Sequence, residues 1–198
     1  MSAVSAWRRE LEESRRLVYV SGFTALAVVL RFFEIPFPLA SFLKYDFSGV
    51  PLAVLGLMSL KWAFTALPVY YMASVIAGAD PVGMVMKTLA ELSTFTPLAL
   101  SYRALAGRLQ HERLYIAVGL LASVSRIIVM TLANLAVTPI WLMMAYPSVF
   151  NSYRAAYEYT LGYIPVIALF NATMSLIVVA ATIPVYRVLE RIGVLDEH

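Results

Sequence analysis

The chain contains no cysteine and only two histidines, His111 and His198, so disulfides and thiolate metal sites are excluded. Charge is scarce as well: 14% of the 198 residues are Asp, Glu, Lys or Arg, against about 25% in a soluble domain. No G-x-x-x-x-G-K-[ST] run occurs, so the chain has no phosphate-cradling loop, and any ATP-driven work must be powered by another protein. Long polar stretches that could build a second, soluble domain are missing.

Apolar residues are abundant. They make up 61% of the chain, and the mean hydropathy is +0.78. A spanning helix takes about 20 apolar residues, so this length accommodates about six spans with short connections. The expectation is an all-α integral membrane protein forming a single membrane domain over residues 1–198. The net charge of +3 is spread among apolar runs rather than gathered into a patch, which argues against nucleic acid as a partner.

Residues 1–16 are polar, carry four arginines, and read as an amphipathic surface segment rather than a signal peptide, because the apolar run that follows is long enough to span. Spans are expected at about 17–33, 50–60, 62–78, 81–102, 114–142 and 163–186. Between the first two, Pro36 and Pro38 predict a loop over 34–49. Ser48 is expected to cap the short second span with Pro51 in its first turn, Pro68 to kink the third, and Asp80 with Pro81 to open the fourth. The stretch 103–113 reads as a polar connector and 143–160 as a mixed loop.

With the N-terminus inside, the inner segments hold Arg8, Arg9, Arg15, Arg16, Lys61, Arg103, Arg108, Arg113, Arg187 and Arg191, and the outer segments only Lys44 and Arg154. Arg31, Lys87 and Arg126 fall within spans. The positive-inside rule then puts both termini in the cytoplasm of a cell-membrane protein and faces the proline-broken loop outward.

Three constellations could carry function. The outer loop FLKYDFSGVP combines Phe42, Tyr45 and Phe47 with Lys44 and Asp46, suited to stacking on a flat ring and hydrogen-bonding its edge, or else to anchoring in the headgroups. Spans four to six carry Lys87, Glu91, Ser93, Thr94, Thr96, Arg126, Thr131, Asn134 and Asn171, which must face one another or a wet cavity. Lys87 and Glu91 are spaced i, i+4 and can pair on one helix face. In the first span Ser21, Gly22 and Ala25 form a small-residue face that lets another helix approach closely.

Read in order, FLKYDFSGVP, DPVG at 80–83, RIIVMTLANLAVTPIW and ALFNATMSL resemble the S components of energy-coupling factor (ECF) vitamin importers, specifically the riboflavin-binding RibU group. The loop signature is the most specific of the four. The resemblance implies a six-helix membrane subunit that binds riboflavin as its transported ligand at an outward-facing pocket. It also implies docking onto a transmembrane T component that carries two ATPase subunits, with no catalysis and no cofactor of its own. The expected ligand-binding residues are Leu43, Lys44, Tyr45, Asp46, Gly83, Lys87, Glu91, Asn134, Asn171 and Met174, and the expected docking residues are Ser21, Gly22 and Ala25.

The chain departs from the pattern at Met174, where the group commonly has a lysine, and at Lys87 and Glu91, where it usually has asparagine and glycine. These departures keep open a different vitamin or small heterocycle as ligand. An integral membrane enzyme acting on a lipid is the reading from another class. Enzymes on phosphorylated lipids usually gather several acidic residues around a divalent cation, and only Glu91 lies within a span.

Overall fold

The computed structural model describes residues 3–193, with side chains from residue 13 onward. The surface character expected of residues 1–16 therefore falls largely on side chains outside the described residues, as does His198. Among the described residues there are six helices: α1 (Ala3–Leu30), α2 (Gly49–Met58), α3 (Leu60–Ile76), α4 (Pro81–Leu105), α5 (His111–Ala145) and α6 (Tyr153–Arg191). Between α1 and α2 lies a hairpin of β1 (Ile35–Phe37) and β2 (Ala40–Tyr45).

The helix α2 is the pivot. Its sequence, GVPLAVLGLM, contains no charged or amide side chain, and Gly49 together with every residue from Pro51 to Leu57 is buried. A helix that is apolar all round must be surrounded. Here α1, α3, α4 and α6 all pack against it. The helix pairs α4 with α5 and α5 with α6 complete the bundle, while α1 packs on α2 and α3 at the opposite side. Leu52, Leu55, Phe95, Leu98, Val118 and Val178 are among the side chains that fill the shared core.

Both α5 and α6 are long and apolar enough to cross a membrane, with mean hydropathies of 2.1 and 2.2 in their most apolar stretches. Five of the ten prolines lie in helices beyond the first turn: Pro68, Pro97, Pro139, Pro165 and Pro184. In the α4 segment the Ser101 hydroxyl donates to the Pro97 carbonyl at 2.6 Å, while α3 continues as a helix through Pro68.

Three boundaries differ from the sequence expectation. The 34–49 loop is a β-hairpin in which Pro36 sits opposite Lys44. A two-stranded ribbon leaves one edge of each strand unpaired, so a proline there removes no required ladder donor. The polar segment and first span form one continuous α1, because nothing between residues 3 and 30 is a proline or a C-terminal glycine signal. The mixed loop is shorter than expected. Ser152 accepts from the Ala155 amide at 3.3 Å and starts α6 ten residues before the apolar run.

The turn from α3 to α4 follows the expected chemistry. Gly78 takes φ +91°, a conformation that costs glycine little, and Asp80 then accepts from the Gly83 amide at 2.5 Å with Pro81 in the first turn. Replacing Asp80 by Ala should lower stability by about 1 kcal/mol, and Asp80→Ser should restore most of it. Thermal unfolding of the purified variants, followed by circular dichroism, checks this; equal melting of Asp80→Ala and the parent protein would deny the cap any weight.

Candidate functional site

Residues 46–48 carry the chain from the hairpin into the bundle. The Asp46 carboxylate is buried, and its Oδ1 accepts from the Ser48 amide at 2.8 Å and from the Ser48 hydroxyl at 2.5 Å, an Asx turn. Since Ser48 gives its proton to Asp46, the Tyr70 hydroxyl of α3 is the donor in its 2.9 Å contact with Ser48 Oγ. The other carboxylate oxygen of Asp46 pairs with Lys87 Nζ of α4. Ser48 was expected to cap α2, but it has helical dihedrals (φ −63°, ψ −25°) and makes no capping bond. Its hydroxyl is held by Asp46 instead.

Glu91 lies one turn deeper on α4 and is 1% exposed. Its Oε1 is 3.4 Å from Nη1 of Arg126 on α5. The same guanidinium donates from Nη1 to Thr94 Oγ1 at 3.0 Å and from Nε to Asn171 Oδ1 of α6 at 3.1 Å. The Asn171 amide in turn donates to the Ile167 carbonyl at 2.9 Å. On its far side Glu91 Oε2 crowds the first turn of α2, where a Cβ on Gly49 would come within 2.1 Å of it. Only glycine permits that approach, which brings the carboxylate to the positive end of the α2 dipole.

The expected Lys87–Glu91 pair is therefore corrected. Each residue pairs across elements, with Asp46 and with Arg126 respectively, although the two stand one turn apart on the same helix. An i, i+4 pair would leave Asp46 and Arg126 as buried charges without partners, at a cost of several kcal/mol. The observed pairing leaves these two cations and two anions mutually neutralised.

A fifth charge stands close by. Arg31, just beyond the end of α1, is 8% exposed, and its guanidinium lies over the Phe32 ring at 4.7 Å from the centroid. It is near enough to the Tyr70 hydroxyl to act on it electrostatically, and its Nε has no hydrogen-bond partner among the described residues.

Adjoining the network is an aromatic cluster. Tyr45 packs on Phe170 at 5.2 Å and edge-on to Phe37 at 5.5 Å, and its hydroxyl bonds Thr173 at 2.6 Å. At the hairpin rim Phe42 meets Tyr163, which stacks near Tyr159 at 4.9 Å. The Tyr159 phenol, on the part of α6 ahead of the expected span, is held above its ordinary range first by its hydrogen bond to Tyr163 and then by burial.

Of the ten expected ligand-binding residues, the structure gathers Asp46, Lys87, Glu91 and Asn171 in the network, with Tyr45 in the adjoining aromatic cluster. Leu43 is half-buried against the core, and Met174 is fully buried within it. Lys44 pairs with Glu34 across the exposed side of the hairpin. Gly83 serves the Asp80 cap. Asn134 spends both ends of its amide within α5, donating to the Met130 carbonyl and accepting from Thr138 at 2.9 Å, about 12 Å of helix away from Arg126. Ser21, Gly22 and Ala25 are exposed along one side of α1, and the Ser21 hydroxyl returns to the Leu17 carbonyl at 2.6 Å.

Arg126 is the functional group that sequence reasoning left without a role, although its position as a cation inside an apolar helix was a legible signal. Tyr70 gave none, because tyrosine is common in this chain, and Ser48 was legible only as a helix cap and as part of the loop segment, not as the link between Asp46 and Tyr70. Among the described residues no three His, Asp or Glu side chains gather into a metal-binding group. No protein-family model and no curated protein matches the chain.

Three outcomes follow from this geometry. Arg126→Leu should destabilise the fold by about 3–5 kcal/mol by leaving Glu91 buried alone, and the double change with Glu91→Leu should recover much of the loss. By contrast, Lys87→Met and Glu91→Leu should act nearly additively, since they belong to different pairs. Gly49→Ala should cost roughly 1–3 kcal/mol through overpacking against the pinned carboxylate. Chemical unfolding of the four single variants and the two double variants, Arg126 with Glu91 and Lys87 with Glu91, measures all three; strong coupling between Lys87 and Glu91 would restore the i, i+4 pair.

Proposed function

We propose that this chain is a multi-pass membrane protein with six spans and cytoplasmic termini, and that it acts as the substrate-capture subunit of an ATP-driven importer of the energy-coupling factor type. Its ligand is riboflavin, and a T component with two ATPase subunits is its partner. The observation that carries this reading is the hairpin. It packs Tyr45, the neighbour of Asp46 in the chain, and Phe37 against Phe170, the neighbour of Asn171, so that an aromatic cluster adjoins the polar network. A flat heterocycle with a polar edge needs both, a stacking surface and hydrogen-bonding groups beside it.

Membrane placement draws support from the surface. Leu17, Val29, Ile116, Leu120, Leu132, Met144 and Leu176 are among many large apolar side chains that lie exposed, far more than water tolerates on a monomer. Aromatic contacts collect at two levels: Trp141–Tyr146 and Tyr159–Tyr163 at the hairpin end, Tyr19–Trp62 and Tyr102–Tyr186 at the other. From Tyr163 to Tyr186 along α6 is about 34 Å of helix, close to the ~30 Å hydrocarbon thickness, which fits paired interfacial belts.

Binding requires the hairpin to lift. The contacts that release are Tyr45 to Phe170 and Thr173, Phe37 to Phe170, and Phe42 to Tyr163 at the rim, while the Asp46–Lys87 ion pair ties the foot of the hairpin to α4. Ligand entering beside the rings then meets the Asn171 amide and the Lys87–Asp46 pair. Arg31 is the nearby cation with no anionic partner among the described residues, so it stands in for the lysine that Met174 replaces. The exposed small face of α1 suits docking of the T component, because it leaves the close-packing residues Ser21, Gly22 and Ala25 open.

Protein purified in detergent with riboflavin present should carry the yellow flavin absorbance through gel filtration. Asn171→Leu should weaken binding by about 1–3 kcal/mol, because a polar edge of the ligand is then buried unpaired. Asn134→Leu should weaken it less. Fluorescence titration measures all three proteins. A colourless protein that binds no flavin at any concentration would rule out riboflavin, and a panel of other heterocycles would then test the capture role itself.

A further inference from the structure

A second site lies far from the hairpin. Between the lower halves of α5 and α6 runs a groove of about 610 Å³, floored by Gly119 and walled by Leu176, Ile183 and Tyr115. One end is entirely apolar. The other is closed by Arg187 and Arg191, which follow each other at one helical turn on α6. Neither arginine forms a salt bridge among the described residues. Arg187 lies over the Tyr115 ring at 5.6 Å, and the Tyr115 hydroxyl is buried with no hydrogen-bond partner. The groove thus offers a cationic end and an apolar trough leading away from it.

Its dimensions narrow the occupant. From Arg187 to Leu176 is about 16 Å of helix, the hydrocarbon depth of one bilayer leaflet. Both arginines belong to the face that the charge distribution places in the cytoplasm, where anionic lipids are recognised by basic pockets between helices. We infer that this groove holds one anionic phospholipid, with its phosphate against Arg187 and Arg191 and an acyl chain along Gly119 and Leu176. The inference rests on the membrane placement proposed above and is independent of which ligand the hairpin covers. The groove also lies away from α1, which packs on α2 and α3, so lipid and docking partner would use different sides of the bundle.

The test uses the full chain purified in detergent and mixed with equimolar phosphatidylglycerol and phosphatidylcholine, with retained lipid counted by native mass spectrometry. Phosphatidylglycerol should be retained roughly tenfold over phosphatidylcholine. Arg187→Gln with Arg191→Gln should abolish the preference. Gly119→Leu should reduce retention of both lipids by filling the trough, where an added Cβ meets only Val179 at 3.7 Å. Circular dichroism confirms that each variant is folded, and the surface arginine pair keeps the test decisive if Gly119→Leu is not. Equal retention of the two lipids overturns the inference, as does an unchanged preference in the arginine variant. Displacement of the lipid by inorganic phosphate would make the site one for a free anion. A dimer mass that Gly119→Leu abolishes would make the groove a contact between copies. Carbonate extraction of membranes separates the two readings: a chain released into the soluble fraction overturns both, whereas a chain retained in the membrane without lipid preference overturns only this one.

Discussion

Burying charge in a bundle made mostly of hydrocarbon side chains is costly unless the charge finds a partner, and four of the charged side chains here meet that constraint as two pairs, Asp46–Lys87 and Glu91–Arg126. The first pair ties the hairpin turn to α4. The second ties α4 to α5, and through Asn171 to α6, while Glu91 presses its other oxygen against the start of α2. Five elements are thereby held in one register by four charged side chains. Apolar packing alone would leave α2 free to slide, since its surface is nearly featureless.

The two pairs differ in a way that bears on function. Arg126 and Glu91 are 3% and 1% exposed in their side chains, enclosed by helices that pack tightly. Lys87 keeps 19% of its side chain accessible, and its partner belongs to a hairpin joined to the bundle mainly by rings and one hydroxyl contact. The deep pair behaves as a fixed strut. The shallow one sits where the hairpin enters the bundle, so movement of the hairpin changes the environment of Lys87 and Asp46 first.

Helices were the easiest part to read, because apolar runs bounded by proline, glycine and charged connectors are strong local signals. The turn at Gly78–Pro81 was legible residue by residue for the same reason. The hairpin was not. Pro36 and Pro38 argue against strands in general, and only the fact that a two-stranded ribbon has open edges makes them compatible with one. The early start of α6 was hidden too, since residues 153–162 are helical without being apolar enough to extend the span pattern.

By itself the sequence determined that this chain is helical, short of charge, free of cysteine chemistry, and obliged to bring the polar groups of its apolar segments together. Those properties follow from composition and local periodicity. Which polar groups meet was decided by tertiary structure alone. Lys87 and Glu91 are neighbours on one helix, yet Asp46 is 41 residues from the first and Arg126 is 35 from the second. Spacing along a chain specifies the face that a side chain occupies but not what packs against that face. Once the turn after the hairpin and α5 bring Asp46 and Arg126 alongside α4, leaving either buried charge alone costs more than giving up the local pair, and the cross-element pairs win.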